Sequence, residues 1–147
     1  MNALNTLFSE RNQILDVLHA ASQGAGTVNG NWVKADRHER IVCIADVGVI
    51  SASGTFDLKL QQANTSGGGG AKDITGKAIT QLTQAGGGSS KVVIIELDVA
   101  KMDIANGFFW VRFVLTEAAA AALCAVLLMG VDPIYAPVPQ TNWTQVV

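Results

Sequence analysis

The sequence predicts an all-β protein, folded as a sandwich or a barrel. Short runs rich in Val, Ile, Phe and Trp recur along the chain, and such runs are typical of strands. Turn signals, mostly glycine clusters, separate these runs at intervals of roughly 10–15 residues, which leaves no room for the crossover helices of α/β folds. The pattern of many short strands with frequent turns therefore indicates an all-β architecture.

Eight segments carry the strand prediction, and the clearest of them is 55–62. There Phe56, Leu58 and Leu60 alternate with polar residues, which predicts a half-buried strand with one face toward water. Segment 91–97 is instead rich in β-branched residues, as strands generally are. The predicted strands are 14–20, 28–34, 40–50, 55–62, 78–83, 91–97, 108–116 and 121–130.

Two segments could be interpreted in more than one way. Segment 121–130 follows a run of alanines that would suit a helix, but Gly130 and Pro133 end it abruptly. We therefore predict a buried strand that returns antiparallel to the one before it. Segment 98–105 is predicted to form one helical turn.

The chain divides into three predicted parts. Residues 1–22 hold an extended N-terminal arm and the first strand, and residues 23–132 form the β-sandwich body. Residues 133–147 form an extended C-terminal tail, which contains all three prolines and no charged side chain. Proline fixes φ and cannot donate to a strand ladder, so the tail is not predicted to be a core strand. The glycine clusters at 67–70 and 86–88 are predicted to be flexible loops.

Composition excludes several classes of protein. The chain has 147 residues, of which 49% are hydrophobic and 15% charged, with a net charge of −2. This is too apolar for a disordered chain and lacks the basic patches of a nucleic-acid binder. The longest apolar run, 118–131, is shorter than the roughly 20 residues of a membrane-spanning helix. We therefore expect neither nucleic acid nor membrane as a partner, and expect a protein surface to cover the apolar excess.

No residue pattern predicts catalysis. His19 and His38 lack the spacing of a metal site, and the charged neighbours of His38 predict a solvated turn. The stretch from Gly67 to Lys72 resembles a phosphate-binding loop but has no Ser or Thr after the lysine. We predict no catalytic residue, no metal site and no cofactor, so the protein is not expected to be an enzyme. Two buried, reduced cysteines are expected at Cys43 and Cys124.

Apolar and aromatic residues in the arm and tail are candidate interaction residues. Trp143 is the clearest, because a charge-free, proline-rich tail cannot bury it locally and aromatic anchors are enriched at interfaces. The predicted interaction residues are Leu4, Leu7 and Phe8 in the arm and Tyr135, Pro137, Pro139 and Trp143 in the tail.

Four segments, taken in order, resemble a known family. Segments 55–83, 91–97, 107–116 and 129–137 are similar to those of small decoration, or cement, proteins of tailed bacteriophage capsids. The resemblance covers about half of the chain and depends on the order of the segments. It implies a non-enzymatic role with a β-sandwich or jelly-roll body, on the capsid surface of a virion assembled in the host cytoplasm.

The expected fold is thus a single, jelly-roll-like β-sandwich with an extended arm and tail. The expected partners are the major capsid protein and further copies of the chain, for which a trimer is one arrangement. Two other functions stay open. A carbohydrate-binding module would use Trp32 or Trp110 as a stacking platform, and a head–tail connector or tail-completion protein would occupy another site on the particle.

Overall fold

The computed structural model describes residues 7–135, 138, 142, 144 and 145. One short helix, α1 (Phe8–Arg11), precedes the strands, and two 3-10 turns (Val99–Lys101 and Ile104–Asn106) lie between the eighth and ninth strands. The strands are β1 (Gln13–Gln23), β2 (Gly26–Asn29), β3 (Val33–Lys34), β4 (His38–Ile50), β5 (Thr55–Ala63), β6 (Lys72–Ala78), β7 (Leu82–Thr83), β8 (Lys91–Asp98), β9 (Trp110–Ala118) and β10 (Ala122–Pro133).

The strands form two sheets in which every pairing is antiparallel. Sheet A has the order β1-β10-β4-β8. Sheet B has the order β2-β9-β5-β6, with the two-residue strands β3 on β9 and β7 on β5. The predicted all-β architecture is confirmed, and the two-sheet arrangement is consistent with a β-sandwich.

Both sheets contribute to one hydrophobic core. The alternation predicted for 55–62 is confirmed, because Phe56, Leu58 and Leu60 of β5 are fully buried. They share a core with Ile41 of β4 and Leu128 of β10 in the other sheet. A domain of this size obtains most of its stability from such burial, at about 25 cal/mol per Å² of apolar surface removed from water.

A cross-link of hydrogen bonds also joins the two sheets near the predicted strand 28–34, which is broken into β2 and β3. Gly30 lies at the break, where its N–H donates to the carbonyl of Phe113 at 3.0 Å. The next residue, Asn31, donates its N–H to Asp16 Oδ2 of β1 at 2.7 Å and its Nδ2 to Oδ1 at 3.0 Å. The regular ladder with β9 is interrupted here because Asn31 bonds to Asp16 of the other sheet.

The glycine cluster at 67–70 forms a turn, one of the structures that such clusters mark. Gly68 and Gly70 have φ of +84° and +63°, a conformation that costs glycine little. Hydrogen bonds close the turn, since the N–H of Gly69 donates to Thr65 Oγ1 at 2.8 Å and the N–H of Asn64 donates to the Gly69 carbonyl at 3.0 Å. The turn leads into β6, which the sequence analysis did not predict.

The two ends of the described chain lie beside each other. The N–H of Val138 donates to the carbonyl of Glu10 at 3.1 Å, and Asn142 Nδ2 donates to the carbonyl of Ile14 at 2.6 Å. Both acceptors lie at or just before β1, which is an edge strand of sheet A. At these two points the C-terminal segment therefore contacts the N-terminal segment of its own chain.

Burial of both cysteines is confirmed. Cys43 lies on β4 and Cys124 on the adjacent β10, and both are free thiols in the core. Burial raises the pKa of each thiol to about 12, because a thiolate is costly in apolar surroundings. Both are therefore protonated and unreactive in the folded protein.

Candidate functional site

The outward side of sheet A is apolar across all four strands. Side chains alternate between the two sides of a strand, and the chain neighbours of Ile44 and Leu127 are buried or face the core. Leu127 on β10 is opposite both Val17 on β1 and Ile44 on β4. Ile44 is in turn opposite Ile94 on β8. These four side chains form a continuous row across the sheet.

Other apolar side chains extend this row along the strands. Val92 lies two residues before Ile94 on the same side of β8, and the two are 63% and 56% exposed. Leu123 of β10 is 47% exposed. Contiguous apolar patches of this kind mark interaction surfaces. We call this surface the apolar face; it consists of Val17, Val42, Ile44, Val92, Ile94, Leu123 and Leu127.

A shallow groove runs over the apolar face between β1 and β4. It is lined by the small Ala125 of β10, by Val17 and His19 of β1, and by Ile44 and Asp46 of β4. Asp46, which is opposite Ala125, is the charged residue in its lining. The groove is open to solvent and mostly apolar, so it suits a protruding side chain of another protein better than an enclosed small molecule.

Charged side chains bound the apolar face at one end. Arg40 of β4 donates its Nε to Asp132 Oδ2 at 2.8 Å and also bonds to this oxygen through its second guanidinium nitrogen. Arg11 lies 3.8 Å from the other oxygen of Asp132. On β8, Glu96 and Asp98 follow the apolar residues. The face is therefore mostly apolar, with charged residues at one end and one exposed carboxylate, Asp46, between Ala125 and Val92.

The outward side of sheet B is polar and internally paired. Lys59 of β5 donates its Nζ to Asp73 Oδ2 of β6 at 2.8 Å, and Gln61 donates its Nε2 to Asp73 Oδ1 at 2.7 Å. These two bonds lower the pKa of Asp73 below its ordinary value. Gln61 Oε1 then accepts from the Nη2 of Arg112 on β9 at 2.8 Å. The chemical contrast between the two outward sides is the main feature of the molecule's surface.

Trp32, one of the two candidate stacking platforms, has one ring face occupied. The guanidinium carbon of Arg112 lies 4.5 Å from the ring centroid, a cation–π contact. Gly68 approaches the indole so closely that a Cβ added there would lie 2.4 Å from Nε1. Trp32 is thus packed between the polar row of sheet B and the glycine turn. The other candidate, Trp110, is half-buried on β9 opposite Ala63.

The predicted interaction residues are only partly described. Leu7, Phe8 and Tyr135 are exposed. Their segments lie near each other, because the hydrogen bond from Val138 to Glu10 joins the two ends. The remaining predicted interaction residues, which lie outside the described residues, are Leu4, Pro137, Pro139 and Trp143.

The sequence analysis missed the apolar face, although a signal was present. Segments 40–50 and 91–97 are apolar at both odd and even positions, and such runs are typical of strands that are covered on both sides. Sheet B covers only the inward side of these strands. The lack of alternation was therefore the sign that the outward side needs a second cover.

The prediction of a solvated turn at His38 is wrong. His38 begins β4 and is 1% exposed, and a Cβ added to Gly130 would lie 2.5 Å from its ring. Neither ring nitrogen has a hydrogen-bond partner among the described residues. Burial lowers the pKa of His38, so the imidazole is neutral at pH 7. The absence of a side chain at Gly130, on the paired strand β10, makes the space that the ring fills.

Glu117 of β9 is also buried, and it lies far from His38. Its Oε2 accepts from the N–H of Ala122 at 2.9 Å, at the start of β10, whereas His38 is opposite Pro133 at the end of that strand. Burial raises the pKa of Glu117. The separation excludes a shared acid–base pair, which requires hydrogen-bond distance or one bridging water.

The described residues contain neither a candidate metal site nor a helix that could span a membrane. Within residues 7–135, 138, 142, 144 and 145, no group of three His, Cys, Asp or Glu side chains could hold a metal ion. No helix in this part of the chain is long and apolar enough to cross a membrane.

No protein-family model and no curated protein matches this chain.

Proposed function

We propose that the protein is a non-enzymatic structural protein of a virion, a cement protein that binds the capsid surface and bridges capsomers. The observation that carries this proposal is the contrast between the apolar face of sheet A and the paired polar row of sheet B. A surface that is apolar over four strands favours a protein partner. The resemblance of segments 55–83 and 91–97 to capsid decoration proteins supports a capsid as the site.

We also propose that the two sheets form a jelly roll. Without the two-residue strands β3 and β7, eight strands remain, and they pair in the order expected when a long hairpin is rolled up. In sheet A the first of these eight strands (β1) lies beside the eighth (β10), and the third (β4) lies beside the sixth (β8). In sheet B the second (β2) lies beside the seventh (β9), and the fourth (β5) lies beside the fifth (β6). Jelly rolls occur in viral capsid proteins, although a fold alone does not set a function.

The size of the apolar face indicates how much of the binding it could supply. Four strands spaced about 4.8 Å apart, over eight residues that each rise about 3.3 Å, give a face of roughly 500 Å². A stable interface buries about 800 Å² on each partner. The apolar face is therefore too small alone, and the exposed Leu7, Phe8 and Tyr135 are proposed to extend the contact with the major capsid protein.

In this mechanism the protein acts by covering apolar surface. Each copy buries its apolar face on one or more capsomers and thereby raises the free energy needed to separate them. The uncharged tail predicted for 133–147 would add a second attachment, so the shell would resist internal pressure better when occupied. Further copies of the chain are proposed partners as well.

The number of copies per particle tests the location. Quantitative mass spectrometry of purified particles that contain the chain should give hundreds of copies if the protein is a cement protein. About six or twelve copies would contradict this location and indicate a connector or tail-completion protein instead.

Substitutions on opposite sheets test the surface. The assay adds each variant to purified particles that were assembled without the chain. We expect Leu127→Lys, in the middle of the apolar face, to bind these particles at least about tenfold less, because it places a charge in a buried contact. Thr116→Lys is the control, since Thr116 is also half-buried but belongs to sheet B. The more exposed Leu123→Lys repeats the test if Leu127→Lys does not fold. Equal occupancy by the Leu127, Leu123 and Thr116 variants would contradict the proposed surface.

A further inference from the structure

Strand β8 is an exposed edge of the apolar face. It is the last strand of sheet A and pairs with β4 on one side, with no ladder partner on its other side among the described residues. Val92 and Ile94, which are among the most exposed apolar side chains of the described residues, both lie on β8. Long, apolar edge strands readily pair with another chain.

The hydrogen-bond pattern of β8 shows which backbone groups are available. Ser90, just before the strand, donates its N–H to the carbonyl of Gly48 at 2.9 Å, in register with the pair Val47 and Lys91. In antiparallel pairs the bonded and non-bonded positions alternate. Even-numbered residues of β8 therefore bond to β4, and the N–H and C=O groups of Lys91, Val93 and Ile95 point toward the open edge.

The protection that edge strands usually carry is limited to the two ends of β8. Proline, bulges and lysine side chains commonly prevent edge pairing, but β8 contains no proline and pairs with β4 without a register shift. Lys77 of β6 donates its Nζ to the Glu96 carbonyl at 2.6 Å. This lysine lies at the C-terminal end of β8, and Lys91 begins the strand, so the four residues from Val92 to Ile95 form an uncharged stretch between the two ends.

We propose that a second copy of the chain pairs antiparallel with β8 along this edge, with Val93 opposite Val93 of the second copy. This register joins the open backbone groups of both strands and places Val92 opposite Ile94 of the second copy on the outward side. Lys91 begins the strand, and Glu96 and Asp98 end it. The charges therefore favour the antiparallel direction, because parallel pairing would place like charges side by side.

Pairing through β8 creates a two-fold dimer with one continuous sheet of eight strands. The apolar faces of the two copies then lie side by side and double the area that a further partner could cover. The trimer considered from the sequence is not what this edge builds. The inference does not depend on the capsid role, since pairing in solution and occupancy of a particle are measured separately.

Sedimentation of the full-length chain across a concentration series tests the dimer. We expect a reversible monomer–dimer equilibrium whose Kd rises at least about tenfold with Val92→Lys, because each dimer loses two apolar contacts. Val49→Lys is the matched control, since Val49 is 58% exposed but lies on the inner strand β4. A chain that stays monomeric at every concentration, or equal weakening by both variants, would overturn the proposal.

Disulfide cross-linking tests the register. Directly opposite, non-bonded residues have Cα atoms about 4.5 Å apart, which a disulfide can span, and the native thiols are buried. A mixture of Val92→Cys and Ile94→Cys chains should form a cross-linked dimer, while neither variant alone should do so. Cross-linking of the Ile94→Cys chain with itself, or the absence of any cross-link in the mixture, would overturn this register.

Discussion

Replacing Gly30 with alanine should destabilise the protein, because Gly30 lies where the two sheets are joined. A Cβ at this position would lie 2.5 Å and 2.7 Å from two ring carbons of Phe113 and 2.8 Å from Asp16 Oδ2. Real Cβ contacts are not this short, so the ring or the carboxylate must move. Phe113 is buried in the core, and Asp16 is held by its two bonds to Asn31.

The size of the effect follows from what must give way. Forcing one extra methyl group into a well-packed core generally costs about 1–3 kcal/mol. If Asp16 moves instead, one hydrogen bond to a charged group is lost, at about 1.5–3 kcal/mol. Both routes therefore predict a loss of about 1–3 kcal/mol. For a chain of this length each kcal/mol lowers Tm by about 2–4 °C, so we expect Tm to fall by roughly 2–12 °C.

Chemical denaturation, followed by circular dichroism, measures this loss directly. Gly24→Ala is the control, because a Cβ at Gly24 meets no atom within 4 Å; its stability should change by less than about 0.5 kcal/mol. The reasoning would be refuted if Gly30→Ala were as stable as the Gly24 variant. A lower midpoint at an unchanged m-value would show that stability has fallen without a change in the surface exposed on unfolding.

Two buried titratable groups give opposite predictions for pH. Because the pKa of His38 is lowered in the folded state, the unfolded chain binds a proton that the folded chain does not, and stability should fall as pH drops below about 6.5. In denaturation experiments from pH 7 to pH 5, His38→Leu should make this fall in stability shallower. An unaltered dependence of stability on pH would contradict the assignment. The folded pKa of Glu117 is raised, so its contribution to stability is present at low pH and is lost as pH rises through that pKa. Glu117→Gln keeps an acceptor for the Ala122 N–H and removes the charge. Its Tm at pH 7.5 should therefore not fall, and any gain in Tm should be smaller at pH 4.5. A clear loss of Tm at pH 7.5 would contradict the prediction that the buried charge of Glu117 is destabilising.

The strands could be predicted where local sequence decides the structure. Strand β5 followed from its alternating pattern, because one side of it faces the core and the other faces water. Strand β6 was missed because it contains charged residues and Gly76, with Ile74 as its buried residue. Its position is set by pairing with β5, which a local pattern does not encode.

The candidate site could not be predicted for a related reason. The side chains of Val17, Ile44, Ile94 and Leu127 are far apart in the sequence, and the sheet register alone brings them into one row. His38 shows the converse effect, because its charged neighbours in the sequence suggested exposure. Its burial depends on Gly130, which belongs to a strand formed by a distant part of the chain.

The strand order of sheet A has a consequence for how the protein is made. Strand β10 lies between β1 and β4, yet it follows every other strand of the sheet in the chain. A ribosome that has synthesised β1, β4 and β8 has therefore not yet supplied the strand that joins the first two. Contacts between such distant residues also slow folding. The outward row of sheet A can form only after β10 emerges, so a partner that recognises this surface would bind finished chains and not nascent ones.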